Sequence, residues 1–290
     1  MRDMREKIIK IRKGDAEYPE KLALIQEAPE QLYCIGNIEL LQKRSIAVVG
    51  SRKCSEYGKQ VAMRIGGAAA QNGLVTVSGM ARGIDSYAHL GALKKGGETI
   101  AVLACGVDVC YPQTNWKLYE QIKQEGLVIS EMEPGTQALP FMFPMRNRII
   151  SGLSEAVAVT EAGTGSGALI TAEFAATQGR EVFCVPGNIT NQYSLGSNKL
   201  LMDGGRAIAV VDDIFTEIGI TPKSTPEELA GLGKDEAEIY NIVKENGETT
   251  VDFLCQLLHK DASTIIGIVG ILEIKGMVNY TYGKIFVAKF

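Results

Sequence analysis

From residue 45 onward, short runs of consecutive apolar residues alternate along the chain with longer stretches whose apolar positions recur at helical spacing. The runs lack the polar alternation of a half-exposed strand, so we expect strands that are buried on both faces. Helical stretches between the runs predict crossovers and therefore parallel pairing. The sequence thus predicts a Rossmann-like α/β domain with a mostly parallel sheet. The predicted strands are Ser45–Gly50, Leu74–Ser78, Thr99–Ala104, Leu127–Glu131, Ala156–Thr160, Glu181–Val185 and Ala207–Val211.

The same pattern divides the chain into regions. Residues 1–40 contain too little apolar surface for a core of their own, so we expect an N-terminal extension that packs on the core. The Rossmann-like domain is expected over residues 41–220. Residues 221–233 are rich in Pro, Ser and Gly, which predicts a linker.

The segment after the predicted linker has three helical stretches and then a hairpin pattern with a turn near Gly283. Three helices followed by a two-stranded wing are the winged-helix layout, so residues 234–290 are predicted to form a small C-terminal winged-helix domain. Residues 223–290 carry seven basic against ten acidic side chains. We therefore favour a role in protein contact or packing over duplex binding. The predicted helices are Asp235–Asn246, Thr250–Leu258 and Ala262–Lys275.

The charge and the cysteines narrow the class of protein. The net charge of −4 means that any nucleic-acid site must be a local patch rather than a global basic field. No apolar run of membrane-spanning length and no signal peptide is recognisable, so we expect a protein without a membrane partner. The six cysteines lie far apart and show no metal-binding spacing, which predicts reduced thiols in a cytoplasmic protein.

Glycine-rich or basic loops follow several predicted strands, at the edge where doubly wound folds bind ligands. Gly50-Ser51-Arg52 offers close backbone approach, a hydroxyl and a guanidinium, which suit a phosphate. Gly79 opens the loop after the second strand, and the glycines of residues 161–171 can form a backbone nest for an anion. Lys199 supplies another cation near this edge. Because the GxGxxG fingerprint is absent, no dinucleotide cofactor is predicted.

Polar residues in two segments, 146–148 and 85–89, have specific expected roles. Arg146, Asn147 and Arg148 stand in an apolar surround and predict the first turn of a helix that faces an anion. The alternative there is a surface turn with a structural Arg–Glu pair. In the loop after the second strand, Asp85 is expected to cap the following helix. His89 is expected to be packed and hydrogen-bonded rather than a base.

The chain offers many anion-binding loops and few candidate catalysts. It has two histidines, and it lacks a Walker A motif, a nucleophile elbow and an acidic cluster with metal-ligand spacing. Phosphate cradles without a general base favour binding of a polyanion. We therefore predict no enzyme activity, no cofactor and no metal.

Linked motifs over roughly residues 18–215 resemble the DprA/Smf family of DNA-processing proteins. The motifs are Gly50-Ser-Arg52, Ser78-Gly-x-Ala-x-Gly-Ile-Asp85, Gly106-Val-Asp-x-x-Tyr-Pro112, Phe143-Pro-x-Arg-Asn-Arg-Ile-Ile150, Glu161-Ala with Ser166-Gly167, and Val185-Pro-Gly187. The resemblance implies an extended Rossmann fold, a homodimer and binding of single-stranded DNA without catalysis. It also implies protection of incoming strands, delivery to the RecA recombinase during natural transformation, and help in displacing single-strand-binding protein.

The resemblance also implies roles for individual residues. Arg52 would hold a DNA phosphate, while Arg146 and Arg148 would shape or charge the pocket wall. Many relatives carry Lys or Arg at the position of Gly165 and a polar or charged residue at that of Met145, and loss of a cation weakens binding. The residues expected at the DNA are Ser51, Arg52, Gly79, Arg146, Asn147, Arg148, Ser166, Gly167 and Lys199.

Two other functions fit parts of the sequence. A nucleotide phosphoribohydrolase of the lysine-decarboxylase-like Rossmann family would use Glu173, beyond the glycine-rich loop, with Arg146 as a phosphate clamp; release of adenine from AMP would reveal it. A winged-helix transcription regulator would bind duplex DNA specifically, which the acidic C-terminal segment disfavours. Tyr111, Phe141 and Phe143 lie beside the key loops, either as base-stacking platforms or as core residues.

Overall fold

A nine-stranded sheet organises residues 7–221 of the computed structural model. The structure describes residues 7–221 and 232–288, and the chain divides into two compact units, Met1–Lys223 and Ser224–Phe290. Residues 222–231 of the predicted linker lie outside the described residues.

The strands of the first unit are β1 (Ile9–Arg12), β2 (Gln31–Gly36), β3 (Ser45–Val49), β4 (Val75–Ser78), β5 (Thr99–Leu103), β6 (Leu127–Ser130), β7 (Ala156–Val159), β8 (Glu181–Cys184) and β9 (Arg206–Ala207). Its helices are α1 (Glu20–Ala23), α2 (Glu56–Gln71), α3 (Ile84–Lys94), α4 (Trp116–Glu125), α5 (Met142–Leu153), α6 (Gly167–Thr177), α7 (Leu195–Met202) and α8 (Asp212–Glu217).

The strand order is β1-β2-β6-β5-β4-β3-β7-β8-β9, and the strands from β6 to β9 in this order pair in parallel. The mostly parallel α/β sheet predicted from the sequence is confirmed. The chain starts the parallel part at β3, proceeds outward to β6, and then returns to β7 on the other side of β3. The switch point of this doubly wound sheet therefore lies at the carboxyl ends of β3 and β7.

Alternate residues of the central strands serve two different cores, which is why these strands are apolar throughout. Ala47 and Val49 of β3 face the layer that contains α1, α5 and α6. Ile46 and Val48 face the layer that contains α2, α3 and α8. Beyond them, α4 covers the β5, β6 and β2 side of the sheet. Both faces of the sheet are thus covered, and the loops at its carboxyl edge remain available to a ligand.

The ends of the sheet differ from the sequence-based expectation. Strands β1 and β2 were not predicted, yet they pair antiparallel with each other, and β2 pairs with β6. The predicted strand Ala207–Val211 is wrong beyond Ala207. There the Asp213 carboxylate accepts the N–H groups of Ala209 (2.7 Å) and Val210 (2.9 Å), which turns the chain into α8.

The second unit contains the three predicted helices and the predicted hairpin. A short strand between the first two helices, β10, completes a three-stranded antiparallel sheet in the order β10-β12-β11. The assignment to the winged-helix class stays a prediction. The elements are α9 (Lys234–Asn246), β10 (Glu248–Thr250), α10 (Val251–Leu258), α11 (Ala262–Ile274), β11 (Val278–Thr281) and β12 (Lys284–Val287).

Within the two described ranges, no helix combines the length and the apolar character needed to cross a membrane.

Helices α2 and α3 cross closely because glycines face the crossing. A Cβ at Gly66 would overlap the carbonyl oxygen of Ala88, and one at Gly91 would overlap that of Met63. At Gly67, the next residue of α2, an added Cβ would meet only the side chain of Lys95 and the more distant Gly91 oxygen. The two adjacent glycines of α2 therefore differ in what surrounds them.

We expect Gly66→Ala to lower the free energy of unfolding by about 1–3 kcal/mol, because the overlap forces the two helices apart. The matched control is Gly67→Ala, which gains the same helix propensity, about 1 kcal/mol at most, with only a flexible side chain to displace. Urea unfolding of both variants measures the difference. Equal stabilities for the two variants would contradict the packing account.

Candidate nucleic-acid interface

The loops after β3, β4 and β7 meet at the switch point. The Ser51 N–H donates to the carbonyl oxygen of Glu161 over 2.7 Å, which joins the loop after β3 to the loop after β7. The Ser51 carbonyl accepts the Ile84 N–H over 3.2 Å, which joins the same loop to the start of α3. The strand-end loops identified from the sequence thus form one connected edge.

Arg52 is an exposed cation of this edge. Its guanidinium lies over the Phe143 ring, 5.0 Å from the centroid, and no carboxylate or carbonyl of the described residues bonds to it. The Tyr111 ring lies 5.4 Å from the Phe143 ring, centroid to centroid. Tyr111 and Phe141 are exposed, and Phe143 is partly exposed. A free guanidinium and accessible rings therefore stand side by side.

Arg146 is buried instead of facing a ligand. Its Nη1 donates to the carbonyl oxygens of Gly79, over 2.7 Å, and of Val102. Burial lowers the pKa of Arg146 to about 10, with attraction to Asp85 opposing the shift and repulsion by Arg52 adding to it. The prediction that Arg146 belongs to a first helical turn facing an anion is wrong, because α5 already begins at Met142.

Gly79 and Asp85 accommodate this buried cation. A Cβ on Gly79 would overlap the Arg146 guanidinium, so the glycine makes room for a protein side chain. The Asp85 carboxylate accepts the N–H groups of Gly79 (3.2 Å) and Ala81 (3.3 Å). It therefore fixes the loop before α3 and does not cap the helix as expected. Burial raises the pKa of Asp85, and the Arg146 charge opposes that shift.

Asn147 and Arg148 are also buried and bonded within the protein. The Asn147 amide donates to the carbonyl oxygen of Gly167 over 3.1 Å. Arg148 donates to the Glu27 carbonyl over 2.8 Å and forms an ion pair of 2.7 Å with Glu131. These bonds do not support the expected orientation of the two side chains toward an anion. The alternative, a surface turn with a structural Arg–Glu pair, is right about the pair and wrong about the surface turn, because both residues are buried on α5. The apolar residues next to Asn147 and Arg148 in the sequence indicated a buried environment. They did not show that the two polar side chains are buried as well.

The N-terminus of α6 and residue Lys199, in the last turn of α7, are the remaining positions expected at this edge. Ser166 caps α6 by accepting the Ala168 N–H over 3.3 Å, and Gly167 is exposed. A Cβ at Gly165 or Gly167 would meet nothing within 4 Å. Lys199 on α7 is exposed, and within residues 7–221 and 232–288 no group bonds to its ammonium. These residues are accessible, in contrast to Arg146 and its neighbours.

The two candidate bases weighed from the sequence, His89 and Glu173, lie in different surroundings. His89 is buried, and its Nδ1 lies 2.6 Å from the Thr99 hydroxyl, which confirms the expectation of a packed histidine. Burial lowers the pKa of His89 to about 3. Glu173 is exposed on α6. Among the described residues, no three His, Cys, Asp or Glu side chains lie together as metal ligands would.

The fold and this edge define a doubly wound α/β protein whose switch point presents a free guanidinium, accessible rings and an open glycine-rich helix start. Residues 10–219 match the family described as DNA recombination-mediator protein A, and the chain belongs to that family. This finding confirms the resemblance seen in the motifs.

Individual relatives agree with the family assignment. DNA processing protein DprA of Streptococcus pneumoniae is 47% identical over 201 residues, which are 69% of this chain and 71% of that protein. DprA of Bacillus subtilis is 43% identical over 203 residues, 70% of this chain and 68% of that protein. The X-ray structure of the S. pneumoniae protein aligns with a TM-score of 0.70 and 43% identity, covering 73% of this chain and 75% of that one. A structure of Helicobacter pylori DNA processing protein A, described by its single-stranded DNA binding mode, aligns with a TM-score of 0.67 and 30% identity. The alignment covers 73% of this chain and 95% of that one.

We expect Arg146→Ala to lower the free energy of unfolding by about 3–5 kcal/mol, because it leaves Asp85 buried without a neighbouring cation. Arg52→Ala is the matched control, since the exposed guanidinium carries no structural bond and its removal changes stability by about 0.5 kcal/mol or less. Chemical unfolding of the two variants checks the contrast. A destabilisation of similar size in both would show that burial does not separate the two arginines.

Proposed function

We propose that this chain binds single-stranded DNA along the carboxyl edge of its sheet, with Arg52 as the principal phosphate contact. The observation that carries the proposal is the exposed, unbonded guanidinium of Arg52 over Phe143 at the switch point. A guanidinium that is not neutralised within the protein is available for charge-assisted bonds to phosphate. The family membership and the H. pylori relative described by its DNA binding mode support the same ligand.

The expected site residues separate into two groups by accessibility. In this proposal the exposed or partly exposed residues contact the DNA strand. These residues are Ser51, Arg52, Ser166, Gly167 and Lys199. The buried group holds the contact residues in place through the bonds described above and does not touch DNA. This buried group consists of Gly79, Arg146, Asn147 and Arg148.

The rings beside Arg52 give the proposal a second component. Bases of a single strand stack on exposed aromatic side chains, with a gain of about 1–3 kcal/mol per base. Phe143 lies between Arg52 and Tyr111, so one strand can place a phosphate at the guanidinium and a base at the rings. The proposed surface is small and local, consistent with binding by a chain of net charge −4.

We also propose a biological role for this DNA binding. We propose a cytoplasmic homodimer that protects incoming strands, exchanges them with single-strand-binding protein and loads RecA onto them, without chemical change to the DNA. The family name, recombination mediator, supports such a transfer function. A phosphoribohydrolase is the alternative, favoured by the exposed Glu173 on the helix after the glycine-rich loop. Release of adenine from AMP, by a preparation that does not bind single strands, would favour that enzyme instead.

We expect Arg52→Ala to reduce the affinity for fluorescent poly-dT about tenfold or more, because one charge-assisted contact is lost. The slope of log affinity against log salt should fall by about 0.7, the value for one phosphate contact on a single strand. Anisotropy titrations over a salt series measure both quantities. Arg64→Ala, which removes an exposed charge from the second half of α2, is the control. Equal losses in the two variants would mean that general charge, not this site, binds the DNA.

We expect Phe143→Leu to weaken poly-dT binding by about five- to tenfold, since an aliphatic side chain fills the same space without a stacking face. Phe143→Tyr keeps the ring and should retain wild-type affinity to within about twofold. Because neither change removes a charge, the salt slope should stay constant. Identical affinities for the leucine and tyrosine variants would exclude Phe143 as a stacking residue.

A further inference from the structure

The Glu161 carboxylate is a buried charge without a cation beside it. The residue is 1% exposed, and within residues 7–221 and 232–288 no Lys, Arg or His pairs with it. Isolated buried carboxylates are costly unless strong donors satisfy them. Here the donors are the Ser55 N–H (2.7 Å), the Ser55 hydroxyl (2.8 Å) and the Asn191 amide (3.4 Å).

Two of these donors, the N–H and the hydroxyl of Ser55, lie at the N-terminus of α2. Ser55 is the N-cap of that helix, and its hydroxyl also accepts the Gly58 N–H over 3.1 Å. Helix α2 follows β3, the first strand of the parallel core, at the switch point. The partial positive charge and free N–H groups at this position hold ligand phosphates in many α/β proteins. In this chain a carboxylate from the loop after β7 already occupies the position.

Glycines shape the space around the carboxylate. A Cβ on Gly58 would overlap the Glu161 Oε2 atom. A Cβ on Gly50 would overlap the Ile84 side chain and the backbone oxygen of Glu161, so this glycine makes room for the loop and not for the carboxylate. Glycine in such places commonly allows a ligand to approach the backbone. At Gly58 it allows a side chain of the same protein to do so. The fit therefore indicates a position shaped for an anion and occupied by the Glu161 carboxylate of the same chain.

We propose that Glu161 is the resident anion of the switch point and a specificity-determining residue. Its carboxylate takes the place of a phosphate at the N-terminus of α2, so that free phosphate and the phosphate of a mononucleotide are excluded from that position. A DNA strand consequently binds at the exposed surface around Arg52. Only this last step rests on the proposed function. Glu161 also positions the loop of residues 50–55 against residues 188–194 through Ser55 and Asn191.

The test vacates the position and offers it an anion. In Glu161→Ala the donors at α2 lose their partner, and formate or inorganic phosphate can enter. We expect either anion at saturating concentration to raise the unfolding temperature of this variant by about 3–6 °C relative to the same ionic strength of chloride. Glu161→Gln fills the space with a neutral group and should show no such rise, and neither should wild type.

The outcomes separate the parts of the proposal. Equal anion effects in the alanine and glutamine variants would overturn it, because the effect would then follow net charge and not a vacated position. A response to formate but not to phosphate would overturn the exclusion of phosphate, since the space would be too small. Failure of the alanine variant to fold in any of these salts would contradict the resident anion itself. Poly-dT binding measured on the same samples reports the proposed function separately, because the anion effect does not involve DNA.

Discussion

The carboxyl edge of the sheet depends on a guanidinium that is buried beneath it. Removing the Arg146 charge from water costs several kcal/mol unless acceptors surround it. The carbonyl oxygens of Gly79 and Val102 accept from it at the ends of β4 and β5, and Asp85 lies near enough to oppose the fall in its pKa. This arrangement restricts the loop before α3 to one conformation and requires a glycine at position 79.

The edge therefore contains charges of two kinds. Buried ions such as Arg146, Arg148 and Glu161 bond to other parts of the protein and hold the strand-end loops together. Arg52 and Lys199 are exposed and carry no such bonds within the described part of the chain. In the proposed function, loops that are already held by internal bonds need little further ordering when a DNA strand binds.

Sequence patterns predicted the parallel core well because its strands are apolar on both faces and are separated by regular helices. They did not predict β1 and β2, which pair with each other, and the pairing of β2 with β6 joins residues far apart in the chain. They misplaced the end of the sheet, where the Asp213 carboxylate turns the backbone. At the site, the motifs located the loops but not the direction of the side chains. Periodicity does not distinguish an arginine that binds a ligand from one that binds two backbone carbonyls, because that depends on partners from other loops.

The most direct test of the account is photo-crosslinking of the full chain to a single strand that contains 5-iodouracil, followed by mass spectrometry of the crosslinked peptides. The account predicts crosslinks at Tyr111, Phe141 or Phe143, beside the exposed Arg52, and their loss in competition with unlabelled poly-dT. Crosslinks confined to the basic strand β1 or to the second unit would contradict a DNA-binding rim at the switch point.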